Sequence, residues 1–287
     1  MILCPIPPRD PPSLPLAAAR TFARGIDHAE GVLWLGEEQL LAGGERGQIY
    51  RVDVRRDRYA EIANTGGILL GFARRGDGLI FACDEERRAV FALAPTGALR
   101  VFADRVGDRP LACPNYPVLD AAGHLYVTDS GRWEGGDGAL LRFAPDGRGQ
   151  VVSTACRHFP NGACWSADHR YLYVVESNLP GVVRIDPEGG ARRIEVRFDA
   201  GVPDGLWALP DGDVLISFYT PSLVLRWTPV SGRLTCLCHE PENTFMCAPT
   251  NVTVAPDGRL FTANLGAPFL TEWNAAAALA APNGGGA

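Results

Sequence analysis

The stretch FPNGACWSADHRYLYVVES, residues 159–177, has a near-copy further along the chain, VPDGLWALPDGDVLISFYT, residues 202–220. In each, the second to fourth residues are proline, an oxygen-bearing residue and glycine, and Asn161 in the first copy corresponds to Asp204 in the second. Each then has an apolar segment, a polar turn and a second apolar segment with alternating side chains. This alternation is typical of β-strands with one buried face. The unit is therefore predicted to be a β-hairpin that begins at the polar residue.

The same unit occurs six times along the chain. We call the residue that begins each copy its anchor, and most copies continue with a third strand such as GQIYRVDV (47–54). The six anchors are Glu30, Leu70, Asn115, Asn161, Asp204 and Asn251. Repeats of roughly 40–50 residues with several strands each indicate the blades of a β-propeller. We predict an all-β, six-bladed β-propeller.

The ends of the chain complete this architecture. The last unit is short, and ARTFARGI (19–26) is a spare strand before the first full unit. This N-terminal strand is predicted to enter the last blade and close the ring, because closure removes a free sheet edge. We predict a Pro-rich N-terminal arm over 1–18, a single propeller over 19–275 and a flexible tail over 276–287.

Composition limits the classes of function. The 287 residues carry a net charge of −6 and no basic patch interleaved with aromatic residues, so nucleic acid is not an expected partner. No apolar run reaches the roughly 18 residues of a membrane helix, and no signal peptide is recognised, so we expect a cytoplasmic protein. The eight cysteines lack CxxC spacing and are predicted to be buried, reduced thiols.

The anchors are predicted to meet at one mouth of the propeller channel, because each begins an innermost strand. Five of the six carry a side-chain oxygen, and none is cysteine or histidine. Converging carboxylates and amide oxygens suit a hard divalent cation, Ca²⁺ above all. An alternative for Asn161 and Asp204 is turn chemistry, since Asn-Gly and Asp-Gly are common turn dipeptides. Glu30 has no such role.

These residues resemble the family of gluconolactonases, senescence marker proteins and luciferin-regenerating enzymes. The resemblance covers about residues 20–270 and rests on AEG (29–31), PN (114–115), PNG (160–162), PDG (203–205) and PTNV (249–252). It implies that Glu30, Asn161 and Asp204 bind one divalent metal, with Zn²⁺, Mn²⁺ or Mg²⁺ as alternatives to Ca²⁺. It further implies that Asn115 is a fourth ligand or a substrate contact.

The resemblance also implies that Asp204 acts as general base or nucleophile. The sequence departs from the family pattern beside Asn115. Sugar-lactone members tend to have an arginine two residues before this asparagine, where this chain has Cys113, and Tyr116 follows it in place of an aspartate. Cys113 and Tyr116 would make a less polar mouth. We therefore expect a small-molecule substrate that is an apolar ester or lactone rather than a sugar lactone.

Three further residues are candidate substrate contacts. His28 is two residues before Glu30 and could be a proton shuttle or an ordinary loop histidine. Trp133 lies in GRWEGGDGA (131–139), which could be a lid over the mouth or a plain surface hairpin. Asn251, the last anchor, completes the set.

Three functions are consistent with this pattern. The first is a metal-dependent hydrolase of a lactone or related ester. The second is a non-hydrolytic biosynthetic enzyme, such as an isomerase, cyclase or condensing enzyme, on the same metal propeller. The third is a non-catalytic calcium-binding propeller. Retention of the metal with loss of activity in Asp204→Asn would separate an enzyme from a binding protein.

Overall fold

The structure is a computed structural model that describes residues 1–281. Its first two strands pair with sheets that are formed by later parts of the chain. A short 3₁₀ turn, Leu16–Ala18, lies between these two strands. These strands are β1 (Ile2–Cys4) and β2 (Ala19–Phe22). The other described strands form six large sheets, which we number blades I to VI in chain order, and one two-stranded hairpin.

Blades I to III each have four strands in sequence order from the inside of the ring to the outside. Blade I consists of β3 (Val32–Gly36), β4 (Gln39–Gly43), β5 (Gln48–Asp53) and β6 (Arg58–Asn64). Blade II consists of β7 (Leu69–Arg74), β8 (Ile80–Asp84), β9 (Ala89–Leu93) and β10 (Leu99–Ala103), followed by a small hairpin of β11 (Arg105–Val106) and β12 (Arg109–Pro110). Blade III consists of β13 (Pro114–Leu119), β14 (Leu125–Asp129), β15 (Ala139–Phe143) and β16 (Gly149–Ser153).

The remaining blades follow the same plan, with strands from the N-terminus added to two of them. Blade IV consists of β17 (Pro160–Trp165), β18 (Leu172–Glu176), β19 (Gly181–Ile185) and β20 (Arg192–Phe198), with β1 parallel to β20 as a fifth strand. Blade V consists of β21 (Val202–Ala208), β22 (Val214–Thr220), β23 (Leu223–Thr228) and β24 (Arg233–His239). Blade VI consists of β25 (Val252–Val254), β26 (Arg259–Thr262), β27 (Leu270–Asn274) and, outermost, β2.

The six innermost strands form a closed ring. Each of β3, β7, β13, β17, β21 and β25 contacts the next, and β25 contacts β3. The predicted six-bladed β-propeller is confirmed. The predicted ring closure is also confirmed, because β2 pairs antiparallel with β27 from Ala19↔Trp273 to Phe22↔Leu270.

Apolar side chains pack between neighbouring blades. Trp227 of blade V contacts Tyr173 of blade IV edge-on, and Trp34 of blade I stacks on Phe261 of blade VI with 5.5 Å between ring centroids. All eight cysteines are free and seven of them are buried, as predicted. The alternation in the sequence therefore places one face of each strand against the next blade.

Residues at both ends of the chain lie against the propeller. The backbone N–H groups of Ser13 and Leu14 donate to carbonyls of β24, so residues 1–18 run from blade IV past blade V to blade VI. A five-residue helix, α1 (Ala276–Ala280), follows blade VI, and Arg226 donates to the carbonyl of Ala278. Of the predicted flexible tail, 276–287, residues 282–287 lie outside the described part of the chain. No helix in the described part of the chain has the length and apolar character needed to cross a bilayer.

Candidate metal and catalytic site

The structure places all six anchors at the same end of the ring, which we call the mouth. Asn115, Asn161 and Asp204 lie near the start of β13, β17 and β21, while Glu30 lies two residues before β3 and Asn251 directly precedes β25. The five oxygen-bearing anchors are almost fully enclosed, with exposed fractions of 1–9%. Side chains this buried are rarely polar without a partner or a bound ion.

In blades III, IV and V a β-bulge lies at the anchor and changes the direction of its side chain. The pairing of β13 with β14 shifts between Pro114 and Tyr116, and β17 and β21 shift at the corresponding positions. Asn161 and Asp204 therefore lie within strands, and the alternative that they are turn residues is wrong. A bulge leaves one residue out of the ladder and redirects its side chain, which here directs the anchor toward the channel axis.

The glycine after an anchor allows the next anchor to approach. A Cβ atom on Gly162 would lie 2.5 Å from the backbone oxygen of Asp204, and one on Gly205 would lie 2.6 Å from that of Thr250. A Cβ on Gly31 would meet the backbone oxygen of Leu70 in the same way. Only glycine leaves room for backbone this close.

Four of the anchors have a buried side-chain oxygen without a hydrogen-bond partner among the described residues. These atoms are Asn115 Oδ1, Asn161 Oδ1, Asp204 Oδ1 and Asn251 Oδ1. Each such atom costs about 1–3 kcal/mol when nothing replaces its lost hydration. Four neutral or anionic oxygens without donors, together with the Glu30 carboxylate, fit a hard divalent cation such as Ca²⁺.

The ionised carboxylates of Glu30 and Asp204 repel each other when no cation lies between them. Burial raises the pKa of Glu30 well above its usual value, with the charges of Asp204, Glu85 and Glu45 adding to the effect. Burial likewise raises the pKa of Asp204 to about 8, which its contact with the Asn161 side chain partly offsets. A cation between these carboxylates would remove the cost of their ionisation, because opposite charge favours the charged form.

Three serines that the sequence analysis missed hold neighbouring anchor strands together. Ser130, Ser177 and Ser217 each donate, at 2.7 Å, to the carbonyl of the residue just before the anchor of the next blade. Ser177 Oγ also accepts from Asn161 Nδ2 at 3.3 Å. Their signal in the sequence is a serine 13 to 16 residues after Asn115, Asn161 and Asp204.

Buried acids at the end of the second strand form another supporting layer that the sequence analysis missed. Asp129 is fully buried and accepts the backbone N–H groups of Ala112 and Cys113 at 3.0 and 2.7 Å. Glu176, also fully buried, accepts the N–H of His158 at 3.0 Å and pairs with Arg192. These carboxylates fix the loops that lead into the anchor strands.

Asn251 joins the first and last blades at the mouth. Its Nδ2 donates to the backbone oxygen of Glu30 at 3.0 Å, and the hydroxyl of Thr250 donates to the same oxygen at 2.9 Å. These bonds cross the seam where the ring closes. Asn251 therefore positions Glu30 and presents its own unpaired Oδ1 to the mouth.

Cys113 and Tyr116 lie on either side of Asn115 but in different surroundings. The Cys113 thiol is buried beside Glu85 and Ser130, and desolvation raises its pKa, so it is a neutral thiol. The Tyr116 ring lies below the anchors, and its hydroxyl donates to the backbone oxygen of Leu206 at 3.4 Å. It lines an apolar cavity of about 480 Å³ toward the other end of the channel.

His28 and Trp133 are both at the mouth and partly exposed. His28 Nδ1 lies 3.6 Å from Asp27 Oδ1 and 3.6 Å from Glu45 Oε2. Trp133 is 44% exposed and packs edge-on against Phe159, with 4.8 Å between ring centroids. Its backbone oxygen accepts from the Asn178 side chain. His28 therefore faces carboxylates, and Trp133 extends the apolar side of the mouth.

Comparison with known proteins places this chain in a family. The model of the SMP-30/Gluconolactonase/LRE-like region matches residues 28–250. The chain belongs to this family. Its similarity to regucalcin of Danio rerio is 31% identity over 109 residues, which is 34% of this chain and 35% of that protein. The aligned part thus spans about a third of that relative.

Solved structures of the family share the fold. A gluconolactonase from Xanthomonas campestris superposes with a TM-score of 0.76 at 22% identity, over 92% of this chain and 94% of that one. A regucalcin from Agrobacterium tumefaciens, described as a calcium-binding protein, superposes with a TM-score of 0.70 at 16% identity, over 95% of each chain. At these identities, the likeness establishes the propeller fold.

Proposed function

We propose that the protein is a metal-dependent hydrolase of a lactone or related ester. The observation that carries the proposal is the ring of buried oxygens, four of which have no partner, beside two carboxylates with raised pKa values. Glu30, Asn161 and Asp204 would hold one divalent cation, most readily Ca²⁺, and Asn115 would be a fourth ligand or a substrate contact. When bound, the cation supplies positive charge that polarises the ester carbonyl.

Asp204 is the residue best suited to move the proton. As general base, its carboxylate takes a proton from water while the water oxygen bonds to the carbonyl carbon. The carbon–oxygen bond of the ester then breaks, and the leaving alkoxide receives the proton, so ester and water give acid and alcohol. As nucleophile, Asp204 would instead form an acyl anhydride that water hydrolyses. One turnover in H₂¹⁸O separates these routes, because only the nucleophile route labels the Asp204 carboxylate.

Support for hydrolysis comes from the site and from the family. The gluconolactonase among the structural neighbours acts on a lactone by its name, and the regucalcin neighbour is described as calcium-binding. That second description favours one alternative, a calcium-binding propeller without turnover. The Asp204 carboxylate distinguishes the two functions, since a binding protein needs it only as a ligand.

The test combines metal content with turnover. The protein as purified is analysed for metal and assayed on a panel of small lactones and aryl esters, before and after chelation. We expect about one divalent ion per chain, and activity that is lost with the metal and restored by it. Asp204→Asn should lower kcat by about 10²–10⁴ while retaining the ion, whereas Asp146→Asn, at the opposite end of the propeller, should be unchanged.

Two results would overturn the proposal. A bound ion without turnover on any ester would leave the calcium-binding propeller or a non-hydrolytic enzyme. Full turnover in a protein without metal would show that the buried oxygens have another purpose.

A further inference from the structure

The two sides of the mouth differ in chemistry. Since each first strand starts at the mouth, the turn between its second and third strands and the connection between blades also lie there. Glu45 and Glu85 occupy such turns in blades I and II. Trp133 occupies the corresponding loop of blade III, and Phe159 ends the connection from blade III to blade IV. We call the first pair the acidic rim and the second pair the aromatic rim.

The acidic rim is close to the anchor carboxylate of Glu30. Both Glu45 and Glu85 act electrostatically on Glu30, and Glu85 faces the neutral Cys113 thiol. No Lys or Arg forms an ion pair with Glu45 or Glu85 among residues 1–281, and the imidazole Nδ1 of His28 lies 3.6 Å from Glu45 Oε2.

Three arginines near the mouth have other partners. Arg109 pairs with Asp129 at 3.0 Å and Arg132 with Asp137 at 3.0 Å. Arg87 donates to the backbone oxygen of Gly66 at 2.7 Å. These contacts direct the three guanidinium groups to other acceptors, so none of the three pairs with the acidic rim.

The unpaired carboxylates of the acidic rim predict the sign of the substrate. One divalent cation would match the charges of Glu30 and Asp204, while Glu45 and Glu85 have no guanidinium partner and remain available to a cationic group. An anionic substrate would be repelled from this mouth, while a cationic group would be attracted and would gain a nearby aromatic face. Cations bind the faces of tryptophan and other aromatic rings with about 0.5–1 kcal/mol at exposed sites.

The aromatic rim is held in place for such contact. The Trp133 ring packs edge-on against Phe159, which is two residues before Asn161. The backbone oxygens of both residues accept hydrogen bonds from the turn of blade IV, at Asn178 and Ser177. These contacts fix the exposed part of Trp133 beside Asn161, the anchor of blade IV.

We propose that the enzyme selects esters or lactones that carry a cationic group, an amine or a quaternary ammonium, bound between the acidic rim and the aromatic rim. This inference rests on the proposed hydrolase and specifies its substrate class. Glu45, Glu85 and Trp133 are its specificity-determining residues. The apolar part of the substrate lies against Trp133 and Phe159, with the ester carbonyl at the ring of anchors.

The test uses two esters of the same shape. Butyrylcholine and 3,3-dimethylbutyl butyrate differ only in a quaternary nitrogen or carbon, and kcat/KM is measured for both with the calcium-loaded protein. We expect about a tenfold preference for the cation at low salt, reduced by 0.5 M NaCl. Glu85→Gln and Glu45→Gln should each reduce the ratio, and the double variant should bring it near one. Glu188→Gln, an equal charge change at the opposite end, should leave it unchanged.

Each outcome decides the question. Equal hydrolysis of both esters by the wild-type protein overturns the cationic preference and leaves the hydrolase intact. If neither ester is hydrolysed, calorimetric titration with butyrylcholine gives the answer without turnover. Binding that weakens in Glu45→Gln/Glu85→Gln but not in Glu188→Gln supports the inference, and equal or absent binding overturns it.

Discussion

Blades II and IV are built alike around their anchors, yet only one anchor can bind a metal. In both blades the first strand shifts register at the anchor, a glycine follows, and a buried acid ends the second strand. The acids are Asp84 and Glu176, and the anchors are Leu70 and Asn161. The comparison teaches that the blade supplies the geometry of the mouth, while one side chain per blade supplies its chemistry.

Replacing the anchor of blade IV with the leucine found in blade II should have the largest effect on calcium affinity. Asn161→Leu removes one orphaned oxygen and the contact that lowers the pKa of Asp204, so affinity for Ca²⁺ should fall by about a hundredfold or more and activity should fall with it. The bulge and the fold should remain. Terbium luminescence titration measures the affinity, and circular dichroism checks the fold. Unchanged affinity would exclude Asn161 as a ligand.

The reciprocal change tests whether the geometry of blade II is ready for a ligand. Leu70→Asn adds a sixth oxygen-bearing anchor at a site with the same bulge. We expect a folded protein with calcium affinity equal to or above that of the wild type. An affinity below wild type would show that the two bulges direct their side chains differently.

The glycine after the anchor should be the next most sensitive position. Gly162→Ala places a Cβ 2.5–2.6 Å from backbone atoms of Asp204, Gly205 and Leu206, which cannot move independently of blade V. We expect a loss of roughly 3 kcal/mol in the free energy of unfolding and weaker calcium binding. Gly76→Ala is the matched control, because a Cβ there meets no atom within 4 Å. Equal losses in urea denaturation of the two variants would contradict the close approach.

The pH dependence of stability should reveal the repulsion between the anchor carboxylates Glu30 and Asp204, which the anchor of blade II lacks. In the metal-free protein the pKa of Asp204 is about 8 instead of 3.8, and that of Glu30 is also raised. The folded state therefore binds more protons than the unfolded chain between about pH 4 and 8, and the free energy of unfolding falls as pH rises through this window. Calcium should remove most of this loss.

Urea denaturation at pH 5 and pH 8, in chelator and in calcium, measures the effect. Asp204→Asn should flatten the pH dependence of the metal-free protein, because it removes one of the two titrating carboxylates. Stability of the metal-free wild type that rises from pH 5 to pH 8 would contradict the raised pKa values.

The serine bridges should give the smallest change. Ser177→Ala removes the donor to the Pro203 carbonyl and the acceptor of Asn161 Nδ2, which should cost about 1–2 kcal/mol and weaken calcium binding by about tenfold. Ser231→Ala, on an exposed turn, is the control. A loss of stability without any change in calcium affinity would mean that Ser177 supports the fold but does not orient Asn161.

Most of the fold was predictable, because the anchor spacing and the period-2 alternation repeat along the chain. The closure by β2 was predictable for the same reason, since the last unit lacks a strand. Addition of β1 to blade IV was not, because Ile2–Cys4 is too short for periodicity to identify its partner.

The site was predictable only in part. Repetition identified the anchors, but the sequence pattern of Asn161-Gly162 is the same in a turn and in a bulge, and only the pairing of β17 separates them. The roles of Ser177 and Glu176 depend on contacts across blades, which no local pattern contains. That the anchors bind a metal ion stays a prediction, which a measurement of the metal content tests.

Closure of the ring by β2 has a consequence for synthesis of the chain. Arg20 pairs with Glu272, so the partner of β2 is synthesised 252 residues after β2 itself. At about 5–20 residues per second, β2 waits for roughly 12–50 s. During that time blades I to V can form, but the mouth lacks Asn251 and the seam it bridges to Glu30. The nascent chain can thus complete the seam of the mouth only after Asn251 has been made.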